Sequence, residues 1–449
     1  MLTHAHFIGI GGIGMSALAH LLLDQGVFVS GSDLYLSPIV QALASRGAKI
    51  FIGHSLENIH GAERIIYSSG IEQKNPEYQE AVAQSIPLQH RAHFLAEQLF
   101  VKKSLLVAGT HGKTTTSSLL AHVLLKAGED PSFAIGGIAP SLATNGRASS
   151  GTLFVAEADE SDGSLVCYHP FGAIITNVDD DHLEYWKSRE ALLAGFAQFS
   201  FQVASKEHLF YCADDPGLCA IRPKGYSYGF EKSADVCLSN YRQKGWKLFV
   251  DIHFKDTLYQ NVEVPLIGRH NALNSAAVFA LCTQLGISET LIRESLACFQ
   301  GVRRRVEKKG EISGITVYDD YAHHPTEIAV TLNAIKTAVG KRRIVVAFQP
   351  HRYSRLKTFM DRFASALQSC DVVVLTDVYS AQEAPIPEVT ITTLQERIQK
   401  QLGKEVHYYP REQLVHFLFS FMKQGDVLVT LGAGDITQVG NAVLESYAK

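Results

Sequence analysis

The stretch SLLVAGTHGKTTT (Ser104–Thr116) joins an apolar run to a loop rich in glycine, lysine and threonine. It predicts a buried strand over Ser104–Ala108, then a phosphate-binding loop and a helix over Thr116–Lys126. In such a loop, backbone N–H groups surround the phosphates, the Lys113 ammonium reaches the β and γ oxygens, and the Thr114 hydroxyl can bind Mg²⁺. The stretch therefore predicts a strand–loop–helix unit that binds ATP.

The loop departs from the full phosphate-loop pattern at one position, where Val107 replaces the first glycine. A glycine turn that only caps a helix is the alternative interpretation. Because the loop lies between a predicted strand and a predicted helix, we favour ATP binding. The residues expected to contact ATP here are Gly109, Thr110, His111, Gly112, Lys113, Thr114 and Thr115.

Two clusters of acidic residues follow predicted strands further along the chain, EADESD at 157–162 and DDDH at 179–182. Acidic residues at strand ends are often only solvated loops. Two such clusters after a phosphate loop are better explained by a magnesium site, because Mg²⁺ prefers oxygen ligands. We expect Thr114, Glu157 and His182 to be its ligands.

A second glycine loop lies near the N-terminus, where Gly9, Gly11 and Gly14 fit the spacing G-x-G-x-x-G between a predicted strand and helix. Asp33 follows the next predicted strand, as in dinucleotide-binding folds. Glycines let the backbone approach a diphosphate, and the helix N-terminus offers N–H groups and a partial positive charge. A nicotinamide dinucleotide and a nucleotide sugar both suit this site, and a tight turn needed only for packing is the third interpretation.

The 449 residues are too many for one core, and the alternation of strands and helices restarts near positions 102 and 303. We predict an α/β protein of three domains: an N-terminal Rossmann-like domain (1–101), a central domain with a mixed sheet like that of P-loop ATPases (102–302), and a C-terminal Rossmann-like α/β domain (303–449).

The overall composition excludes several classes of function. A formal charge of −4 provides no excess of positive charge for binding nucleic acid or an anionic membrane. No apolar run approaches the roughly 20 residues of a membrane span, and the N-terminus does not resemble a signal peptide. The seven cysteines include no C-x-x-C pair, so neither a disulfide framework nor a zinc site is indicated. We expect a cytoplasmic protein.

Polar clusters in the last 190 residues offer further ligand-binding groups. The amides of Asn271 and Asn274 can read an adenine edge, although Asn271 as a helix N-cap is equally compatible with the pattern. A guanidinium of the run ending at Arg305 can reach a phosphate. Arg352 and Arg355 would share one face if the segment is helical, which suits a carboxylate or phosphate.

The motifs occur in a fixed order from end to end of the chain. They are GIGGIGMSALA (9–19), AGTHGKTTT (108–116), EADESD (157–162), TNVDDDH (176–182), GRHNALN (268–274), FQGVRRR (299–305), DDYAHHPTE (319–327), FQPHRYSR (348–355) and EAPIP (383–387). In this combination the chain closely resembles the Mur ligases of bacterial peptidoglycan synthesis, and the resemblance covers nearly its whole length.

The resemblance implies a first domain that binds UDP-N-acetylmuramate, a central one that binds ATP, and a third that binds L-alanine. ATP would convert the muramoyl carboxylate to an acyl phosphate, which the amine of L-alanine then attacks. The implied catalytic residues are Lys113, His182, Arg305, His351, Arg352 and Arg355. The implied ATP site gains Asn271, Asn274, Arg305 and Asp320, and the sugar nucleotide is expected at Gly9, Gly11, Gly12, Gly14, Asp33 and Ser69.

Two positions favour the alanine-adding member of the family. His111 stands where ligases that add later residues usually have asparagine, and Ser161 stands where the muropeptide-recycling ligase usually has tyrosine. Several relatives hold a second metal with a carbamylated lysine, but no lysine lies between Lys187 and Lys206, so how a second Mg²⁺ would be held stays open.

The alternatives are the recycling ligase, an NAD-dependent oxidoreductase and a nucleotide sensor without catalysis. We expect a monomer or weak homodimer that acts in cell-wall biogenesis and, through it, in cell shape and division.

Overall fold

The computed structural model describes residues 2–448, which form three sheets. The first sheet is formed by the N-terminal part of the chain. Its strands are all parallel, in the order β3-β2-β1-β4-β5. The crevice where this order reverses, between β1 and β4, is where such sheets bind ligands. The strands are β1 (His4–Ile8), β2 (Phe28–Asp33), β3 (Lys49–Ile52), β4 (Arg64–Tyr67) and β5 (Leu88–His90), and the helices are α1 (Ile13–Asp24), α2 (Pro38–Ser45), α3 (Pro76–Ala83) and α4 (Arg91–Phe100).

Local sequence explains where these helices begin. The Ser37 side chain accepts a hydrogen bond from the Val40 N–H, and Pro38 occupies the first turn of α2. Asn75 and Pro76 do the same for α3. A side-chain acceptor satisfies an N–H that has no partner within the helix, and the fixed φ of proline suits the first turn.

The second sheet is mixed and lies in the order β15-β14-β13-β12-β11-β10-β6-β9-β7-β8. The strands on both sides of β6 run parallel to it, whereas β8 is antiparallel to β7. The strands are β6 (Lys103–Ala108), β7 (Ser132–Ala134), β8 (Gly146–Arg147), β9 (Leu153–Ala158), β10 (Gly172–Ile175), β11 (Leu209–Cys212), β12 (Tyr226–Gly229), β13 (Val236–Lys244), β14 (Lys247–Phe254) and β15 (Thr257–Val264). The helices are α5 (Lys113–Lys126), α6 (Leu183–Trp186), α7 (Arg189–Gln202), α8 (Pro216–Ile221), α9 (Arg269–Gln284) and α10 (Glu289–Ala297).

The third sheet has the order β16-β17-β21-β18-β19-β20, and its strands are parallel except for β16. The strands are β16 (Glu307–Ile312), β17 (Ile315–Asp320), β18 (Ile344–Phe348), β19 (Val372–Leu375), β20 (Glu405–Tyr408) and β21 (Val427–Leu431). The helices are α11 (Pro325–Val339), α12 (Tyr353–Ala366), α13 (Ile391–Leu402), α14 (Leu414–Phe421) and α15 (Thr437–Ala448). Apolar side chains on both faces of the central strands form its core.

The chain divides into two compact units. The first comprises 1–241, 249–265 and 272–300, and so contains the first sheet together with most of the second. The second comprises 242–248, 266–271 and 301–449. Within residues 2–448, no helix combines the length and the apolar character that crossing a bilayer requires.

The predicted α/β class with Rossmann-like and mixed sheets is confirmed. One local interpretation is not supported. The interpretation of Asn271 as an N-cap is wrong, because α9 begins at Arg269 and the Asn271 amide donates to the Ile267 carbonyl.

Candidate functional site

The phosphate loop between β6 and α5 depends on two glycines in the left-handed region. Gly109 has φ +130°, and a Cβ there would lie 2.0 Å from Thr176 Oγ1. Gly112 has φ +85°, and a Cβ there would lie 3.2 Å from Asn274 Nδ2. No side chain fits at Gly109, and Asn274, predicted to contact ATP, lies directly against the loop.

Residues that follow β10 fix the shape of this loop. The Thr176 hydroxyl and the Asn177 amide both donate to the His111 carbonyl, at 2.6 and 2.9 Å. Asn177 also accepts from the His111 N–H at 2.9 Å. The His111 ring lies 3.0 Å from an Asp179 carboxylate oxygen. The loop is therefore ordered by neighbouring strand ends as well as by its own sequence.

Lys113 lies in a buried ion pair. Its Nζ is 2.5 Å from Glu160 Oε2 and also donates to the Gly109 carbonyl at 2.6 Å. Burial by itself would lower the pKa of Lys113, but the carboxylates of Glu160 and Asp159 outweigh it and raise that pKa. Lys113 therefore carries its charge at neutral pH, and the acidic loop that follows β9 (159–162) holds it in place.

The two carboxylates beside Lys113 differ in electrostatic environment. Burial would raise the pKa of Asp159, but the charges of Lys113 and Arg91 lower it to about 2. Burial raises the pKa of Glu160, and Lys113 offsets only part of that effect. The Trp186 indole also donates to the Glu160 carbonyl at 2.9 Å, which fixes the backbone of this acid.

Glu157 and Thr114 provide oxygen atoms of the kind that Mg²⁺ prefers. The Thr114 hydroxyl is 3.2 Å from Glu157 Oε2, while Glu157 Oε1 accepts from the Ser117 hydroxyl and the Gly136 N–H at 3.0 and 2.7 Å. Glu157 is the fifth residue of β9, whereas the sequence placed it just after the strand. A carboxylate and a hydroxyl turned toward each other fit a hard divalent cation.

His182, the third predicted metal ligand, has φ +55° and directly precedes α6. Its ring lies 3.7 Å from Asp181 and 3.5 Å from Glu184. Its charge influences both Asp159 and Glu160. His182 is therefore near enough for a charge on its ring to act on the two acids beside Lys113.

The first glycine loop is closed by Asp33, whose Oδ2 accepts from the Gly11 N–H at 2.8 Å. Gly9 has φ +79°, and Gly12 precedes α1 as its N-cap. Gly14 lies against the Arg91 guanidinium. Ser69, also predicted at the sugar-nucleotide site, contacts His90 at 3.0 Å and donates to Asp162 at 2.9 Å.

In the second unit, Asp320 and Arg305 have different surroundings. Asp320 accepts from the Val306 and Ala322 N–H groups at 2.7 and 2.8 Å, and burial raises its pKa to about 6. Arg305 lies 3.6 Å from Glu327 and 5.2 Å from the centre of the Tyr321 ring. Asp320 is the last residue of β17, and Arg305 lies two residues before β16.

The HRYSR segment (351–355) begins three residues after the end of β18. Burial and the two nearby arginines lower the pKa of His351 to about 4, and its ring stacks on Tyr379. The condition under which Arg352 and Arg355 would share a helix face is not met, because Arg352 has φ +68° and precedes α12. Glu383 of the EAPIP motif accepts from the N–H and hydroxyl of Ser354 in the first turn of that helix.

Sequence reasoning missed several residues at these sites. Asp159 and Glu160 lie in the EADESD motif, but the pattern does not tell which acid faces Lys113. Arg91 begins α4 and carried no signal at all. His323 was quoted in a motif without a role, yet its ring is 5.7 Å from that of His351.

Comparison with known proteins assigns the segments that carry these clusters to one protein family. Family models match three successive segments: "Mur ligase family, catalytic domain" at 4–100, "Mur ligase middle domain" at 107–282 and "Mur ligase, glutamate ligase domain" at 304–434. This chain belongs to the Mur ligase family. The resemblance stated from the motifs is thereby confirmed.

Individual Mur ligases are similar over the whole length. The UDP-N-acetylmuramate–L-alanine ligase of Protochlamydia amoebophila is 47% identical, with 99% of this chain and 98% of that protein covered. That of Anaeromyxobacter dehalogenans is 42% identical, with 98% and 96% covered. The crystal structure of the UDP-N-acetylmuramate–alanine ligase of Thermotoga maritima is 30% identical and superimposes with a TM-score of 0.86, covering 100% and 99% of the two chains.

Proposed function

We propose that this chain joins L-alanine to the carboxylate of UDP-N-acetylmuramate at the expense of ATP, an early step of peptidoglycan synthesis. Its family makes it an ATP-dependent ligase that forms an amide bond. The relatives that support the choice of substrates match it over nearly their entire length. The observation that carries the proposal is the charged, buried Lys113 at the start of α5, beside the acids Glu157, Asp159 and Glu160.

The first half of the reaction is transfer of the γ-phosphoryl group to the muramoyl carboxylate. The Gly109–Thr115 loop would bind the phosphates through its N–H groups, with the adenine at Asn271 and Asn274. When the γ-phosphate arrives, Lys113 exchanges its bond with Glu160 for one with a phosphate oxygen. Its charge then offsets the charge that builds up on the transferring group. Arg305 and Asp320, in the second unit, stay proposed ATP-binding residues.

We propose Thr114, Glu157 and His182 as the residues that hold Mg²⁺. A bound Mg²⁺ would neutralise phosphate charge and orient the γ-phosphate. The chain's own contribution is to orient the carboxylate, since the Gly136 N–H and the Ser117 hydroxyl hold Glu157 Oε1 and leave Oε2 facing Thr114.

In the second half, the amine of L-alanine attacks the carbonyl carbon of the acyl phosphate. A C–N bond forms, the C–O bond to the phosphate breaks, and inorganic phosphate and a proton from the amine are released. We assign this half to the HRYSR segment. Arg352 and Arg355 are cations suited to the acyl phosphate and the alanine carboxylate. His351 is neutral at pH 7, and its Nδ1 is buried without a hydrogen-bond partner among residues 2–448. A neutral imidazole can accept a hydrogen bond from the incoming amine and orient it.

We further propose that the sugar nucleotide binds at Gly9, Gly11, Gly12, Gly14, Asp33 and Ser69. The domain limits 1–101, 102–302 and 303–449 also stay a proposal, as do a cytoplasmic location and a monomer or weak homodimer.

The test measures ADP release with UDP-N-acetylmuramate, ATP and Mg²⁺ while single amino acids are supplied in turn. L-Alanine should give the highest kcat/KM, and omission of either the sugar nucleotide or the amino acid should abolish release. A preference for a preformed peptide over free L-alanine would assign the recycling reaction instead. ADP release that ignores the amino acid would refute the proposal, and saturable NAD(H) binding would support an oxidoreductase.

A further inference from the structure

Arg91, the first residue of α4, connects the two nucleotide-binding regions of the first unit. Its Nη2 lies 3.0 Å from Asp159 Oδ2 and 3.0 Å from Asp162 Oδ2. Only 19% of its side chain is exposed. One guanidinium nitrogen thus bridges two carboxylates of the acidic loop, and Asp159 is one of the two acids whose charge acts most strongly on Lys113.

The other terminal nitrogen of Arg91 faces the first glycine loop. A Cβ built on Gly14 would lie 3.4 Å from Arg91 Nη1. Gly14 is in the first turn of α1, whose N-terminus presents unpaired N–H groups and a partial positive charge. An anion bound at this turn would therefore lie within reach of Nη1, on the side of the guanidinium away from the carboxylates.

The first turn of α1 is also attached to the second sheet at another point. The Asn145 amide donates to the Ile13 carbonyl at 2.7 Å and to the Ser16 hydroxyl at 3.0 Å. A Cβ on Gly146 would lie 2.1 Å from the Ala17 carbonyl oxygen, so the two backbones touch. With α1 held in this way, a ligand at its N-terminus acts on Arg91 rather than displacing the helix.

The electrostatic consequence concerns Lys113. Asp159 lies between two cations, Arg91 and Lys113. While Arg91 holds Asp159, that carboxylate competes less strongly with phosphate oxygens for the Lys113 ammonium. If Arg91 is lost, Lys113 becomes the main cation available to the acidic loop.

We propose that Arg91 is a positioning residue that couples occupation of the first glycine loop to nucleotide binding at Lys113. With the diphosphate of the sugar nucleotide on Nη1 and the two carboxylates on Nη2, the guanidinium is fixed by both ligands. Each bound substrate then holds the Arg91 guanidinium in the position that the other substrate requires. Each substrate therefore tightens the binding of the other. The inference rests on the proposed function, because it takes the anion at α1 to be a sugar-nucleotide diphosphate.

The test is calorimetric titration of UDP-N-acetylmuramate into the whole chain, with and without a non-hydrolysable ATP analogue and Mg²⁺. The ratio of the two Kd values is the coupling factor. We expect about fivefold or more in the natural chain, as is typical of coupled sites, and a factor near one in Arg91→Gln. Arg91→Lys should lose the coupling too, because a single ammonium group lacks the two terminal nitrogens that contact the diphosphate and the carboxylates at the same time.

Arg64→Gln is the matched control. Arg64 is the first residue of β4 and pairs with Glu97 of α4 at 2.7 Å. It should keep the coupling factor of the natural chain, and thermal unfolding of each variant would report its stability separately.

A natural chain without coupling, or a full coupling factor in Arg91→Gln or Arg91→Lys, would overturn the inference. If Arg91→Gln does not fold, Arg91→Lys carries the test. Sugar-nucleotide binding without L-alanine-dependent ADP release would instead count against the proposed function and leave the coupling intact.

Discussion

Replacing Lys113 by methionine tests whether the buried ion pair with Glu160 is a resting position of a phosphate-binding lysine. The two side chains are 14% and 2% exposed, and their charged atoms are 2.5 Å apart. Removing one partner of a buried pair leaves the other charge without compensation, which costs about 3–5 kcal/mol. We therefore expect Lys113→Met to lower the free energy of unfolding by about that amount at pH 8.

The double variant Lys113→Met/Glu160→Gln separates stability from chemistry. A neutral amide beside methionine leaves no uncompensated charge, so most of the lost stability should return. Turnover should stay at least about 10²-fold below that of the natural chain in both variants, because the cation that stabilises the transferring phosphoryl group is missing.

The stability of Lys113→Met should also depend on pH. Burial places the folded-state pKa of Glu160 above its unfolded value. Between those two pKa values the folded state binds more protons than the unfolded state, so stability falls as pH rises. Without Lys113 this loss should be larger than in the natural chain, and it should shrink as the pH approaches 5.

The assays are urea unfolding at pH 5 and pH 8 and ADP release. Lys126→Met, on the exposed face at the end of α5, is the control and should change stability by no more than about 0.5 kcal/mol. If Lys113→Met is as stable as the natural chain at pH 8, the burial argument is refuted. Turnover close to that of the natural chain in either variant would refute the role of Lys113.

Three further predictions concern other parts of the first unit. Gly109→Ala should abolish ATP binding, measured by titration with an ATP analogue, because its Cβ would lie 2.0 Å from Thr176 Oγ1; unchanged affinity would mean that the loop can move aside. Glu157→Gln should raise the Mg²⁺ concentration for half-maximal ADP release by about tenfold or more, whereas an unchanged requirement would remove Glu157 from the proposed metal site. Burial would raise the pKa of Glu77, but hydrogen bonds from His6, Ser32 and Asn58 lower it. As the pH falls, the unfolded state therefore binds a proton before the folded state does, and the free energy of unfolding should decrease below pH 4.5. In Glu77→Gln this acid-dependent decrease, measured by urea unfolding, should be smaller.

The sequence by itself determined the local structure around the glycine loops. An apolar run followed by glycines and a helix-forming segment specifies strand, loop and helix through contacts close in the chain, and β6, α1 and α5 lie within a few residues of the predicted positions. Helix starts at Ser37 and Asn75 follow from caps that act over three residues or fewer. The order of motifs along the chain was also sufficient to indicate the family.

Only the tertiary structure decided which charged groups meet. Lys113 pairs with Glu160, 47 positions away, rather than with another acid of the same motif, and Arg91 reaches Asp159 across 68 positions. Several neighbouring acids carry the same charge, so their spacing in the sequence does not indicate which of them pairs with Lys113 or Arg91. The choice depends on how β6 and β9 pair and on how α4 packs beside the acidic loop, and those long-range contacts are formed by the packing of the whole unit.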